Sequence, residues 1–268
     1  MINLDNNNPV QNSINNISNQ LLQSINNISS GNTLYDSSAN PADYTISESL
    51  LTQLNGSQQA ENNVENGMNL LNTAFGGMSA ATNALETMNN LAIEAGNGTL
   101  NSADLSAINT EYQQMNAEVG DIAQNTEFNG TQLLNGTTSS VSLQSGAGAG
   151  NQTSSATGNI TPENLGLAGT NTETQANSQS AISATENALE NVSSQQAIIG
   201  AEQNGLTSTV ANLGNSALNT ASTLSQISGT NIESEVSNLT ESKIKLKTSI
   251  YALLAENQQK GQILSLLA

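Results

Sequence analysis

Carboxylates carry nearly all the reactive chemistry this sequence offers, and two pairs stand at spacings that catalysis can use. Glu186 and Glu190 lie four apart, and Glu233 and Glu235 two apart. Such pairs divide acid and base roles when their surroundings push their proton affinities apart. Neither pair has a helper. The chain contains no histidine and no cysteine, so the neutral-pH proton shuttle, the thiolate nucleophile and the usual soft metal ligands are absent. Gly146, Gly148 and Gly150 alternate, but neither the lysine nor the helix start of a phosphate loop follows them. The carboxylates are expected on solvated helix faces. No catalytic, cofactor-binding or metal site is expected, and no cofactor.

The basic side chains are fewer still. Lys243, Lys245, Lys247 and Lys260 face 22 acidic residues, for a formal net charge of -18. Nucleic-acid binding is disfavoured, because phosphate contacts need Lys and Arg. An anionic membrane surface is disfavoured for the same reason. No stretch approaches the roughly 20 apolar residues of a membrane span, so no membrane insertion is expected. Met1 to Val10 has neither a basic segment nor a long apolar one, so the reading is a cytoplasmic protein or one that leaves without a cleavable signal.

The elements that must position these groups are helices. Ile14, Ile17, Leu21, Ile25 and Ile28 step by three and four. Val64, Met68, Leu71, Phe75, Met78, Leu85 and Ala92 continue the rhythm, as do Leu105, Ile108, Tyr112, Met115, Val119 and Ile122. It resumes from Ile182 to Ile227 and again at Ile232, Val236, Leu239, Leu246, Ile250 and Leu253. Alternating steps of three and four make one narrow apolar stripe, and over several heptads that stripe is a coiled-coil seam. Aromatics are only 2% of the chain, so the seams consist of small aliphatic side chains that suit close helix packing. Gly200 and Gly214, inside the fourth helix, predict close helix contact or a bend.

The breaks are equally legible. Ser29 to Pro41 is turn-rich, with Gly31 able to cap a helix. Gly96-Asn97-Gly98 stops the second helix, and Asn101 or Ser102 caps the third, with Asp104 favoured by the helix dipole. Asn129-Gly130 and Asn135-Gly136 are hairpin-type turn signals. Val141 and Leu143 alternate as a strand would, and Ser145 to Gly158 reads as a surface loop. The fold class is mainly all-α: a long helical coiled-coil rod with paired N- and C-terminal helices and a small β-hairpin and loop insert.

Several local motifs sit on this scaffold. They are Ile28-Ser29-Ser30-Gly31 with Leu34 and Asn40-Pro41-Ala42, and Thr126 to Gly136 (TEFNGTQLLNG). Asn164-Leu165-Gly166-Leu167, Glu233 to Leu239 (ESEVSNL) and Ile263-Leu264-Ser265-Leu266-Leu267 complete the set. In order and over nearly the whole chain, the sequence resembles the bacterial flagellins, in a minimal form with only two core layers. The resemblance implies residues 1–40 and 225–268 as the halves of an inner core domain. Residues 41–136 and 177–224 would be the helices of an outer core domain, and 137–176 a short insert.

The resemblance also implies a function: a secreted, non-enzymatic subunit that self-assembles into the extracellular flagellar filament for swimming. The self-assembly residues would be Ile14, Ile17, Leu21, Ile25, Ile28, Val236, Leu239, Leu246, Ile250, Leu253, Leu266 and Leu267. The partners implied are the chain itself, a flagellar export chaperone for the C-terminal helix, and the filament cap and hook-associated proteins. Export would use the type III channel, which passes unfolded chains. Related flagellins engage an animal innate immune receptor through an arginine, a leucine and a glutamate. Leu91 and Glu111 match the last two, whereas Thr87 stands at the arginine's place, which predicts weak recognition. Flagellins often carry O-linked sugars on outward loops, which points to Ser139, Ser140, Thr153 and Ser154. Asn-x-Ser/Thr sequons are abundant but several fall on helix stripes or tight turns.

A hook–filament junction protein shares the terminal helices and is the nearest alternative, followed by a secreted coiled-coil adhesin or translocator. Dense packing of subunits at -18 each is repulsive at neutral pH and low salt, so an acidic or salty habitat is expected.

Overall fold

The fold was taken from a computed structural model, which describes residues 9–34 and 40–267, with side chains as far as residue 254. Among the described residues the order is α1 (Pro9–Ser30), α2 (Pro41–Ala95), α3 (Ser102–Asn125), β1 (Glu127–Phe128), β2 (Thr131–Gln132), β3 (Ser140–Gln144), β4 (Gln152–Ala156), α4 (Gln175–Ser228) and α5 (Ile232–Leu267). No helix among the described residues is long and apolar enough to cross a membrane. The chain divides into two compact units. One joins Met1–Gln53 to Asn219–Ala268, and the other is Leu54–Leu218. The first turns of α2 and the last turns of α4 therefore group with the terminal helices.

The central unit holds the main core. Val64, Leu71, Met78, Leu85 and Ala92 of α2 are buried with Tyr112 and Val119 of α3 and Val192, Ile199 and Leu206 of α4. These are the periodic positions, so the 3–4 rhythm here is the inward face. Phe75 departs from the expectation and is exposed. Asn101 caps α3: its side chain accepts from the Ala103 and Asp104 amides, and Asp104 accepts from the Asn101 amide at 3.2 Å. That reciprocal pair is a capping box.

The FNG segment is a two-residue hairpin joining β1 to β2, with Asn129 at φ 51° and Gly130 at φ 76°. Two successive left-handed residues are what a type I′ turn demands, and Asn-Gly supplies them at least cost. The turn drops Leu133 and Leu134 into the core, beside Leu165 and Leu167 of the LGL segment. Asn135-Gly136 differs from the expectation: it joins no strands, and Asn135 instead forms an isolated bridge with Asn159.

The expected loop from Ser145 to Gly158 is also corrected. Gln152–Ala156 forms β4, antiparallel to β3 with Ser142 opposite Ser154. Its polar sequence hides the strand; pairing and side-chain hydrogen bonds create it. The Ala156 amide donates to both carboxylate oxygens of Glu202 at 3.0 Å, and the Asn159 amide donates to Gln195 Oε1 at 3.0 Å. On its other side the hairpin presses on α2, where a side chain at Gly67 would collide with Leu143 and one at Gly56 would lie 2.7 Å from the Ala147 methyl group. At Gly200 and Gly214, where close contact or a bend was expected, a side chain would meet open space, so it is not close contact that requires these glycines.

The terminal unit closes on a clamp between its two distant segments. Asn32 and Gly229 form an antiparallel bridge. The Thr33 amide donates to the Ser228 carbonyl at 2.8 Å, and the Thr230 amide to the Gly31 carbonyl at 3.2 Å. α1 stops there because Gly31 takes φ 67°, the left-handed position that ends helices. Leu34 is buried beside the clamp. α5 restarts after Asn231, whose side chain accepts from the Ser234 amide at 3.1 Å. The two helices then run as a pair.

Candidate self-assembly surface

The α1–α5 pair has a mixed seam, in which half-buried aliphatic residues alternate with buried polar ones. Its buried positions are largely polar: Ser24 and Asn27 of α1 and Ser242 of α5 are buried beside Ile17. Asn27 Nδ2 donates to Glu235 Oε1 at 3.4 Å, while Glu235 Oε2 is buried without a hydrogen-bond partner. A polar cavity of about 380 Å³ runs along the seam between Gln20, Asn27, Glu235 and Ser242. Other large apolar residues lie outside. Leu22 and Ile25 of α1, and Ile244 and Tyr251 of α5, are exposed.

The residues expected to form the seam divide accordingly. Ile17 is buried, and Ile14, Leu21, Ile28, Leu239, Leu246 and Leu253 are half-buried along the intramolecular contact. Val236 and Ile250 are 46% and 42% exposed, and Ile25 stands open with them. Leu266 and Leu267 lie outside the residues whose side chains are described. The apolar stripe on these helices is thus wider than one partner covers. Pairing with α1 takes one edge of the α5 stripe and leaves the other to solvent. Burial of apolar surface yields roughly 25 cal/mol per Å², so a row of open aliphatic residues favours a covering partner.

What the sequence alone did not reveal is the polar lining. Ser24, Asn27, Ser242 and Glu235 occupy seam positions that the apolar rhythm skips, and their burial follows from pairing. The ion pair of the region is Lys245 Nζ with Glu241 at 2.7 Å, one turn apart and exposed. Its hydrogen bond and charge hold the Glu241 carboxyl below the usual carboxylate range.

The other expected positions fall elsewhere. Leu91 is 9% exposed and belongs to the central core, whereas Glu111 stands on the surface of α3. Thr87 donates its hydroxyl to the Asn83 carbonyl of its own helix at 3.0 Å. Ser139, Ser140 and Ser154 are exposed around the β3–β4 hairpin, and Thr153 is half-buried with its hydroxyl 2.9 Å from that of Ser145. Glu186 and Glu190 are exposed on α4. Among the described residues no cluster of acidic side chains could hold a metal ion.

Residues 3–139 match the bacterial flagellin N-terminal helical region, and residues 182–267 the bacterial flagellin C-terminal helical region. A flagellin of Halalkalibacterium halodurans is 32% identical over 251 residues, covering 93% of this chain and 92% of the relative. The flagellar filament 30.7 kDa core protein of Treponema maltophilum is 27% identical, covering 93% of each chain. The crystal structure of flagellin from Bacillus cereus superposes with a TM-score of 0.52 at 26% identity, over 57% of this chain and 88% of that one.

Proposed function

The chain belongs to the bacterial flagellin family, and from that premise we propose that the open faces of α1 and α5 are the surfaces through which its copies assemble. Its role is structural, as a subunit of the flagellar filament, and it is not an enzyme. The supporting observation is the incompletely covered apolar stripe of the helix pair, which leaves Leu22, Ile25, Val236, Ile244 and Ile250 outside while Ser24, Asn27 and Ser242 are buried. Such a pair is marginal alone, because narrow helices gain stability mainly from tertiary cover.

Residues 1–40 and 225–268 then form the inner layer, residues 41–136 and 177–224 the outer helices, and 137–176 the insert. The filament is extracellular, and the chain reaches it unfolded through the type III channel. The lack of cysteine suits that passage. An export chaperone covers the apolar face of α5 beforehand, and the cap and hook-associated proteins meet the same terminal helices. Ser139, Ser140, Thr153 and Ser154 are the positions for O-linked sugar, which intact mass measurement of the secreted protein detects. With Thr87 in place of arginine and Leu91 turned inward, Glu111 alone offers the receptor contact, and monomer should activate a receptor-reporter cell only weakly.

Deleting residues 249–268 tests the central reading. The expected product is a soluble monomer that keeps the melting transition of Leu54–Leu218 and does not polymerise on seeding. Filaments as long and as numerous as those of the full chain would refute it.

A further inference from the structure

On α5 the residues facing α1 and those left open form two interleaved heptad rows. Leu239, Ser242, Leu246, Ser249 and Leu253 make the covered row. Ile232, Val236, Lys243, Lys247, Ile250 and Leu254 make the other, at steps of three and four with Thr240 filling the place between Val236 and Lys243. At about 100° per residue these six positions fall within an arc of about 60°. Ile232 and Leu254 at its ends are 57% and 52% exposed. The lysines stand in its middle, both exposed. Neither makes an ion pair among the described residues, where the ion pair belongs to Lys245 on the flank.

We propose that this open row is a second coiled-coil seam, which takes a carboxylate-bearing helical segment of another copy of the chain in a register fixed by Lys243 and Lys247. The inference rests on the reading that copies cover this face. An ammonium enclosed by aliphatic residues loses its hydration and regains nothing unless an acceptor meets it. A lysine at a seam position therefore admits only those registers that bring a carboxylate opposite, at some cost in stability.

Charge points to a second copy as the occupant. The chain has 22 acidic residues against four basic ones, and every lysine lies between 243 and 260. In a copy of the chain α2, α3 and α4 carry carboxylates and no lysine or arginine, whereas α1 carries no acidic residue. The same imbalance excludes the row pairing with itself. In a parallel pair Lys243 would meet Lys243, and in an antiparallel pair centred on Lys245 it would meet Lys247. Like charges opposed in a seam are destabilising, so the contact is forced to be head-to-tail between different surfaces. Contacts of that kind do not close into dimers; they form rings where the rotation closes and helical arrays where it does not.

The test uses purified full-length monomer extended from filament fragments, with three double variants. K243R/K247R should grow filaments with the wild-type lattice. K243E/K247E should slow growth about tenfold or more at low salt, because steering by opposite charge is lost. K243L/K247L should associate readily but into dimers or filaments of mixed lattice, read from sedimentation and from the layer lines of filament images. Monomer helicity should stay unchanged in all three, since both side chains are exposed. Wild-type growth and a single wild-type lattice in the leucine and glutamate variants would overturn the proposal, including the case in which these lysines serve a different protein. Failure of the wild-type chain itself to extend the fragments would instead overturn the assembly reading.

Discussion

Tyr112 shows how a single residue fastens the central unit. Its ring is fully buried, and its hydroxyl lies 2.9 Å from Thr170 Oγ1. Thr170 already donates to the Leu167 carbonyl at 2.8 Å, so Tyr112 is the donor of the pair. Burial raises its proton affinity above the ordinary value of 10.0. The folded state therefore holds this proton more tightly than the unfolded state. The associated stability is complete below the unfolded value and is lost as pH rises through the raised one. Tyr112→Phe should cost about 1 kcal/mol at neutral pH, and the gap from wild type in melting temperature should narrow in alkaline buffer. A gap that stays constant with pH would contradict this. Asn101→Ala, which removes the side-chain half of the capping box and leaves the residue 101 amide bonded to Asp104, should cost about 1 kcal/mol, measured by denaturant unfolding.

At the scale of elements, the helices were legible because their apolar period persists for many turns. Leu71, Met78 and Leu85 had to share a face, and they do. The assembly face was half legible. Periodicity marked Val236, Leu239, Leu246 and Ile250 as one stripe, but only the packed structure separates the covered Leu239 and Leu246 from the open Val236 and Ile250. β4 was not legible, because Gln152-Thr153-Ser154-Ser155-Ala156 has no apolar alternation and becomes a strand through β3 and Glu202. Gly200 and Gly214 pointed to close helix contact or a bend, and a side chain at either meets open space, whereas one close approach lies at Gly67, against Leu143 of the hairpin. Gly67→Ala gains helix propensity but forces Leu143 aside. Overpacking of this kind costs about 1–3 kcal/mol, so the expected net effect is a lower melting temperature. Gly200→Ala meets open space and should raise it. The reverse order would show that the hairpin does not rest on α2.

For the molecule as a whole, charge is the strongest influence after burial. Residues 54–218 contain no lysine or arginine, so crowded copies repel through their central units. Screening length falls from about 30 Å at 0.01 M salt to about 10 Å at 0.1 M. Filaments should therefore dissociate at higher temperature as salt is added at pH 8, and again as pH falls towards 5 and carboxylates take up protons. The exposed Glu241–Lys245 pair acts in the opposite sense, since its contribution is lost as pH falls through the lowered Glu241 value, but exposed pairs are weak. Greatest filament stability at pH 8 in low salt would reject this account.

The Asn32–Gly229 clamp carries a consequence for the order of events along the chain. It knots together segments from opposite ends of the polypeptide, so the terminal unit has no autonomous half. Contacts so far apart in sequence must await closure of a long loop, which the earlier compaction of residues 54–218 shortens. A chain threaded end-first through a narrow passage would thus complete its middle while its extremities still wait for each other. We expect hydrogen-exchange pulse labelling during refolding to protect α3 before α1, making the last residues to emerge the trigger that readies the subunit for incorporation.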